Sequence, residues 1–303
     1  MLQQLCPLVL SLTAALTAAV PAWSSKLAIV VDDCGYRPQQ EKQVLALPIN
    51  VSVAVLPNAP HAYAIATKAH NRGREVLIHM PMAPLSKQPL EKDTLRADMS
   101  SDKIEHIIRD AVSKVPRAIG MNNHMGSAMT SNLFGMQKVM QVLSHYSLYF
   151  LDSMTIGNSQ GMQAAVGTGV KVIKRTVFLD DTQNENNIRF QFNRAIQLAR
   201  RTGFAIAIGH PHPLTIRVLQ QMVYNLPPDI ILVPPSSLLN KSQIDTSMPN
   251  TGLPSDVLQP AAPRNPFPGL QICKPQQRST PVCIACFFTI LGEESISQIP
   301  VLQ

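Results

Sequence analysis

The sequence predicts an α/β protein built as a (β/α) barrel, distorted or open. Three observations carry that expectation. Short apolar runs alternate with amphipathic helical stretches from Lys26 to about Leu239, the connections are mostly brief, and side chains able to bind metals or move protons stand where several runs end. An open doubly wound sheet would gather such groups at one switch point, whereas groups arriving from many strands suit the carboxyl rim of a barrel. Aromatic residues make up only 5% of the chain, so aliphatic side chains must fill the layers between sheet and helices.

The expected strands, in order, are 27–31, 51–56, 75–78, 118–121, 148–151, 170–174, 204–209 and 230–233. Each is a short apolar run of the length a buried parallel strand needs. Between them, Ile104, Ile107, Ile108, Ala111, Val112 and Val115 form one apolar stripe at helical spacing, with Ser100 or Ser101 and Asp102 as the N-terminal cap. Leu133, Met136, Val139, Met140 and Leu143 repeat the stripe. So do Ile188, Phe192, Ala195, Ile196 and Ala199, with Gly203 to stop the helix. Pro213 suits the first turn of a further helix. The polar connection from Met80 to Met99, with three prolines, is long for a compact domain and is a candidate substrate flap.

The ends of the chain differ from this middle. Residues 1–22 read as a signal peptide, with an uncharged apolar stretch from Leu8 to Val20 and small residues before a cut ahead of Trp23. That predicts an exported, periplasmic protein with no membrane span once the leader is removed. Because no Lys or Arg precedes the apolar stretch, an N-terminal inner-membrane anchor is the alternative. Residues 241–303 hold nine of the 25 prolines and read as a disordered extension to the 26–240 domain. Cys283 and Cys286 in that extension have metal-ligand spacing but no second pair. The extension has four basic and four acidic groups, so the net charge of +7 belongs to the domain. A mildly basic domain favours an anionic polymer or surface. No Lys/Arg block is interleaved with aromatics, which argues against nucleic acid.

The chemistry sits at the strand ends. Asp32 and Asp33 close the first apolar run, and two abutting carboxylates call for a cation or a shared proton. His79, His124 and Asp33 are the candidate metal ligands, because imidazole and carboxylate suit zinc or a similar divalent ion. Asp32 is then the candidate general base and His210 the general acid. Asn122 and Asn123 are candidate oxyanion or substrate-binding groups. Asp152 and His212 are placed behind the ligands, as side chains that orient them. For Asp152, capping of the turn that follows is an equal reading. His61, His70, His106 and His145 read as surface residues.

Five ordered segments carry a resemblance: Val31-Asp32-Asp33-Cys34-Gly35, His79-Met80-Pro81-Met82, Met121-Asn122-Asn123-His124-Met125-Gly126-Ser127, Leu151-Asp152-Ser153 and Gly209-His210-Pro211-His212-Pro213. Over about residues 26–240 the chain resembles the divergent polysaccharide deacetylase family. The resemblance implies a distorted (β/α) barrel related to carbohydrate esterases that remove N-acetyl groups from amino-sugar polymers. It also implies that Asp32 and Asp33 divide into base and metal ligand, and that His210 is the histidine of the last motif. The related enzymes carry two histidines four positions apart in their second motif. Here His79 has Ala83 at that distance, and His124 is the residue that would replace the missing ligand. Two readings follow: a metal-dependent hydrolase acting on an envelope polysaccharide or peptidoglycan-type glycan, and a non-catalytic glycan-binding or regulatory protein on the same scaffold.

Overall fold

The structure, a computed structural model, describes residues 24–240. The expected leader, the Pro-rich extension and the Cys283–Cys286 pair lie outside the described residues. Nine parallel strands form one sheet in the order β6-β5-β4-β3-β2-β1-β8-β7, with β9 also on β1. They are β1 (Ser25–Cys34), β2 (Val51–Val55), β3 (Val76–Met82), β4 (Gly120–Met125), β5 (Tyr149–Asp152), β6 (Val172–Lys174), β7 (Val177–Phe178), β8 (Phe204–Gly209) and β9 (Ile230–Leu232). Strand β1 gives one edge to β8 from Lys26 to Val31 and shares the other, first with β9 and then with β2. No pairing joins β6 to β7 among the described residues, so the barrel is incomplete.

Helices cover the outer face. They are α1 (Pro38–Val44), α2 (Ala62–Asn71), α3 (Ser101–Lys114), α4 (Ser127–Thr130), α5 (Leu133–His145), α6 (Gly161–Ala164), α7 (Glu185–Thr202) and α8 (Pro213–Met222). Local chemistry sets their ends. Ser100 accepts from the Lys103 amide to start α3, Asn132 from Gly135 to start α5, and Asn184 from Asn186 and Asn187 to start α7. Gly203 ends α7 at φ +86°, a conformation that costs glycine little. The stripe of α3 is buried at Ile104, Ile107, Ile108 and Ala111, each such isoleucine contributing roughly 2 kcal/mol of burial. No described helix is long and apolar enough to cross a membrane.

Side-chain parity divides the core in two. Leu27, Ile29 and Val31, with Val53, Val55 and Phe150, pack outward against the helices. Ala28, Val30, Ala54, Leu77, Leu151, Ile206 and Ile208 fill the barrel interior. Alternation then assigns direction at the rim. Asp32 continues the inward row of Ala28 and Val30, His79 follows Leu77, and His210 follows Ile206 and Ile208. Asp152 instead continues the outward row of Phe150.

Three strands run further than their apolar runs predict. Strand β1 continues to Cys34, β3 to Met82 and β4 to Met125. The ladder between β3 and β4 continues past the apolar runs, with His79 opposite Asn122 and Pro81 opposite His124. The long connection after β3 is also more tightly held than a free flap. Leu95 is fully buried and exchanges backbone hydrogen bonds with Pro81 and Ala83, leaving exposed residues around 85–90.

Candidate metal and acid–base site

A break in register brings the two aspartates of β1 to one place. The pairing of β1 with β2 slips between Val31 and Cys34, and Asp33 takes φ +54°. A bulge with one residue in the left-handed region re-aims a side chain that a regular strand would send to the opposite face. Asp33 turns to the mouth of the barrel while Asp32 stays in its interior, only 2% exposed.

At the mouth, Asp33, His79 and His124 meet. Asp33 Oδ1 lies 3.1 Å from His79 Nε2 and 3.0 Å from His124 Nδ1, and the two nitrogens are 3.1 Å apart. Asp33 Oδ1 is buried without a directed hydrogen bond even though both nitrogens are in range. Three donors on one tetrahedral ion with bonds of about 2.1 Å would stand about 3.4 Å apart, close to the observed triangle. The triangle, its two nitrogens and one carboxylate oxygen, and the orphaned Oδ1 together fit a divalent cation of the zinc type.

Asn122 fixes the state of His79 from behind. Its carbonyl oxygen takes the Nδ1 hydrogen of His79 at 2.8 Å, and its amide donates to both Asp32 oxygens at 2.9 and 3.0 Å. An amide whose NH2 faces a carboxylate must turn its oxygen to the imidazole, so Nδ1 carries a proton and Nε2, at the mouth, is the nitrogen whose lone pair a cation would take. Burial raises the pKa of Asp32, against the pull of His79 and His210. Burial alone would lower His79, but Asp32 and Asp33 outweigh it and hold its pKa above the ordinary value. Asp33 is likewise opposed by burial, yet His124 and His79 keep its carboxyl well below the usual range.

On the opposite side of the mouth, His210 Nε2 stands 3.9 Å from Asp33 Oδ2. Its Nδ1 is 3.0 Å from Asp180 Oδ1, while Asp180 Oδ2 accepts from the His210 amide and from Thr215 Oγ1, both at 2.7 Å. Burial lowers the His210 pKa, but the hydrogen bond and charge of buried Asp180 prevail and push it up to about 9. His210 is therefore an imidazolium at neutral pH with its free N–H turned to the site. Phe178 meets its ring edge-on at 5.3 Å.

A profile of divergent polysaccharide deacetylases matches residues 29–239. The chain belongs to the divergent polysaccharide deacetylase family. Among its relatives, the Escherichia coli K12 protein YibQ is 67% identical over 290 residues, 96% of this chain and 89% of YibQ. A Haemophilus influenzae Rd protein is 43% identical over 238 residues, 78% of this chain and 85% of its own length. The crystal structure of ATU2773 from Agrobacterium tumefaciens C58 superposes with a TM-score of 0.67 at 21% identity, covering 71% of this chain and 89% of that one, which shows a shared fold.

Against this family frame the site corrects several expectations. Asn122 and Asn123 are 0% and 1% exposed and cannot present an amide to substrate. Asn122 is committed to Asp32 and His79. Asn123, on the outward row, donates to Met125 O and accepts from the Ser153 amide, fastening β4 to the turn after β5. Asp152 touches no imidazole. Pointing outward, it accepts from the Met154 amide at 2.8 Å and from Ser159 Oγ at 2.5 Å, the turn-capping reading. His212 does not back the ligand triangle. Its ring lies 5.8 Å from that of His210, and its Nδ1 is 3.2 Å from an Arg37 nitrogen. His61, His70, His106 and His145 are exposed, as expected.

Two residues escaped the sequence reading. Asp180 follows the two-residue strand β7, too short to show any period. Its signal was Val177-Phe178-Leu179-Asp180-Asp181, an apolar run closed by an Asp pair like that of Asp32 and Asp33. Arg175 donates from Nε to Ser153 O at 2.6 Å and from its terminal amine to Met154 O at 2.8 Å, and its guanidinium lies 4.8 Å from the centre of the Phe178 ring. It ties the β5 turn to the wall that holds His210, and nothing in its sequence neighbourhood announces that.

Proposed function

We propose that this protein is a metal-dependent amide hydrolase that removes N-acetyl groups from an envelope polysaccharide or peptidoglycan-type glycan. Asp33, His79 and His124 would hold the cation. The ion would supply Lewis acidity to an acetamide carbonyl and make water a nucleophile near neutral pH. The chain's own residues then handle protons. Asp32, its pKa raised by burial, is the proton acceptor in this reading. His210 is the donor: Asp180 keeps it protonated, and its Nε2–H delivers a proton to the departing amine as the C–N bond breaks. One water is consumed, and acetate and a free amino sugar are released.

The observation that carries the reading is the triangle itself, completed by His124 from β4 where Ala83 stands in the motif of related deacetylases. Ala83 serves the backbone instead: its carbonyl accepts from Ala128 and Met129 at 3.0 Å. Absence of that second histidine is also what favours the second reading, a glycan-binding protein without turnover. Acetate release from N-acetylated chitooligosaccharides and peptidoglycan fragments separates them, with Asp32→Asn and His210→Gln as controls. Metal-loaded protein that binds these glycans yet releases no acetate would replace the first reading by the second. Export to the periplasm belongs to the same proposal and rests on the uncharged apolar leader. Cell fractionation, with the mature N-terminus sequenced, tests it against the anchored form.

A further inference from the structure

Positive charge is not spread evenly over the domain. Between Gly35 and Arg74 the chain carries Arg37, Lys42, Lys68, Arg72 and Arg74 against one acid, Glu41. That acid is 2% exposed and faces inward, accepting from the Gly35 amide at 2.6 Å and the Arg37 amide at 2.8 Å. Arg74 is buried among backbone carbonyls of Leu47 and Pro48. The other four cations are exposed on one flank of the barrel. Among the described residues none of these four pairs with a carboxylate.

Three of these cations line a single cleft of about 450 Å³ between α1 and α2. Lys42 and the buried Glu41 stand on α1, Lys68 on α2, Arg72 just past its end and His61 just before its start, over a floor that includes Leu45 and Ile65. Pro38 forms the upper lip. The residue before it, Arg37, reaches back to His212 beside the catalytic mouth. A strand of sugars leaving the mouth over Arg37 would meet a trough with Leu45 and Ile65 in its floor and three cations against one acid, Glu41, whose carboxylate is already held by the Gly35 and Arg37 amides. Such a trough attracts anionic groups and leaves neutral ones unaided.

We propose that the α1–α2 cleft is an extended subsite for an acidic glycan, one whose repeating units bear carboxylate or phosphate groups. The inference rests on the glycan reading above and narrows its substrate class. Lys42→Glu with Lys68→Glu reverses two exposed charges away from the ligand triangle and from His210, and circular dichroism checks that the variant folds. Calorimetric binding of the full chain is measured with polygalacturonate oligomers, with neutral chitooligosaccharides and with phosphatidylglycerol vesicles.

The expected result is that affinity for the acidic oligomers falls at least about tenfold in the double variant and in 0.5 M salt, while neutral oligomers are unaffected. Equal affinity for acidic and neutral oligomers, or acidic binding indifferent to the double substitution, overturns the proposal. So does vesicle binding abolished by the substitutions in the absence of acidic-glycan binding, which would assign the flank to a lipid surface. Acetate release from a neutral oligomer should persist in the variant. If it is absent from wild type as well, the hydrolase reading fails while charge selectivity in binding still decides this one.

Discussion

Replacing Asp180 by Asn isolates the role of the Asp180–His210 pair. Asp180 Oδ2 serves two donors, the His210 amide and Thr215 Oγ1, so an asparagine must keep its oxygen there and turn its NH2 toward His210 Nδ1. That nitrogen then has to accept, and an imidazole accepting at Nδ1 is neutral with its hydrogen on Nε2. The His210 midpoint should fall well below about 9, because burial is then opposed only by the charges of Asp33 and Asp32. The sign follows from linkage. A histidine whose folded pKa lies above its unfolded one stabilises the fold fully below about pH 6.5, and the stabilisation disappears as pH rises through about 9. At pH 7 the difference is worth about 2–3 kcal/mol, and Asp180→Asn should forfeit most of it. The assay is an NMR titration of the imidazoles on chelator-treated protein, with His210→Gln identifying the resonance, alongside urea unfolding from pH 6 to pH 10. A wild-type midpoint at or below 7, or one that Asp180→Asn leaves in place, refutes the assigned electrostatics.

Asn122→Ala should destabilise the fold by about 3 kcal/mol or more in urea unfolding, since it strands a buried carboxylate and a buried imidazole N–H together. A loss under about 1 kcal/mol would mean the relay is not made. Gly120→Ala sets a methyl 2.5 to 2.9 Å from the Tyr149 ring, which cannot swing aside while its hydroxyl is bound to Glu75. Thermal unfolding should show a cost of about 1–3 kcal/mol, largely recovered when Tyr149→Leu is added. An unchanged melting point for the single variant would contradict that packing.

The barrel was legible because buried parallel strands are nearly continuous apolar runs, and eight of the nine were recognisable as such. The missed strand, Val177–Phe178, is two residues long, too short to show a strand period. With it went Asp180. Inward residues such as Asp32, His79 and His210 continue rows that alternation makes predictable, and Asp33 and His124 were legible as residue types able to bind a cation. For Asp152 the same geometry decides between two equal readings: one step in register puts it on the face of Phe150, where it caps the following turn instead of meeting an imidazole. Residue type alone points Asn122 and Asn123 at a substrate. Whether an amide faces substrate or a buried carboxylate depends on contacts across β1, β4 and β5, which lie 30 to 90 positions apart in sequence.

Metal uptake reaches the centre of this account. Titration of zinc into chelator-stripped protein, followed by calorimetry and elemental analysis, should show one tightly held equivalent, lost in His124→Ala and in Asp33→Ala. At a free metal concentration a hundred times the dissociation constant, unfolding should be opposed by about 2.7 kcal/mol more than in the stripped protein. Failure to take up zinc or any other divalent ion stoichiometrically, or uptake that survives both substitutions, would contradict the assignment of Asp33, His79 and His124 as the ligand set.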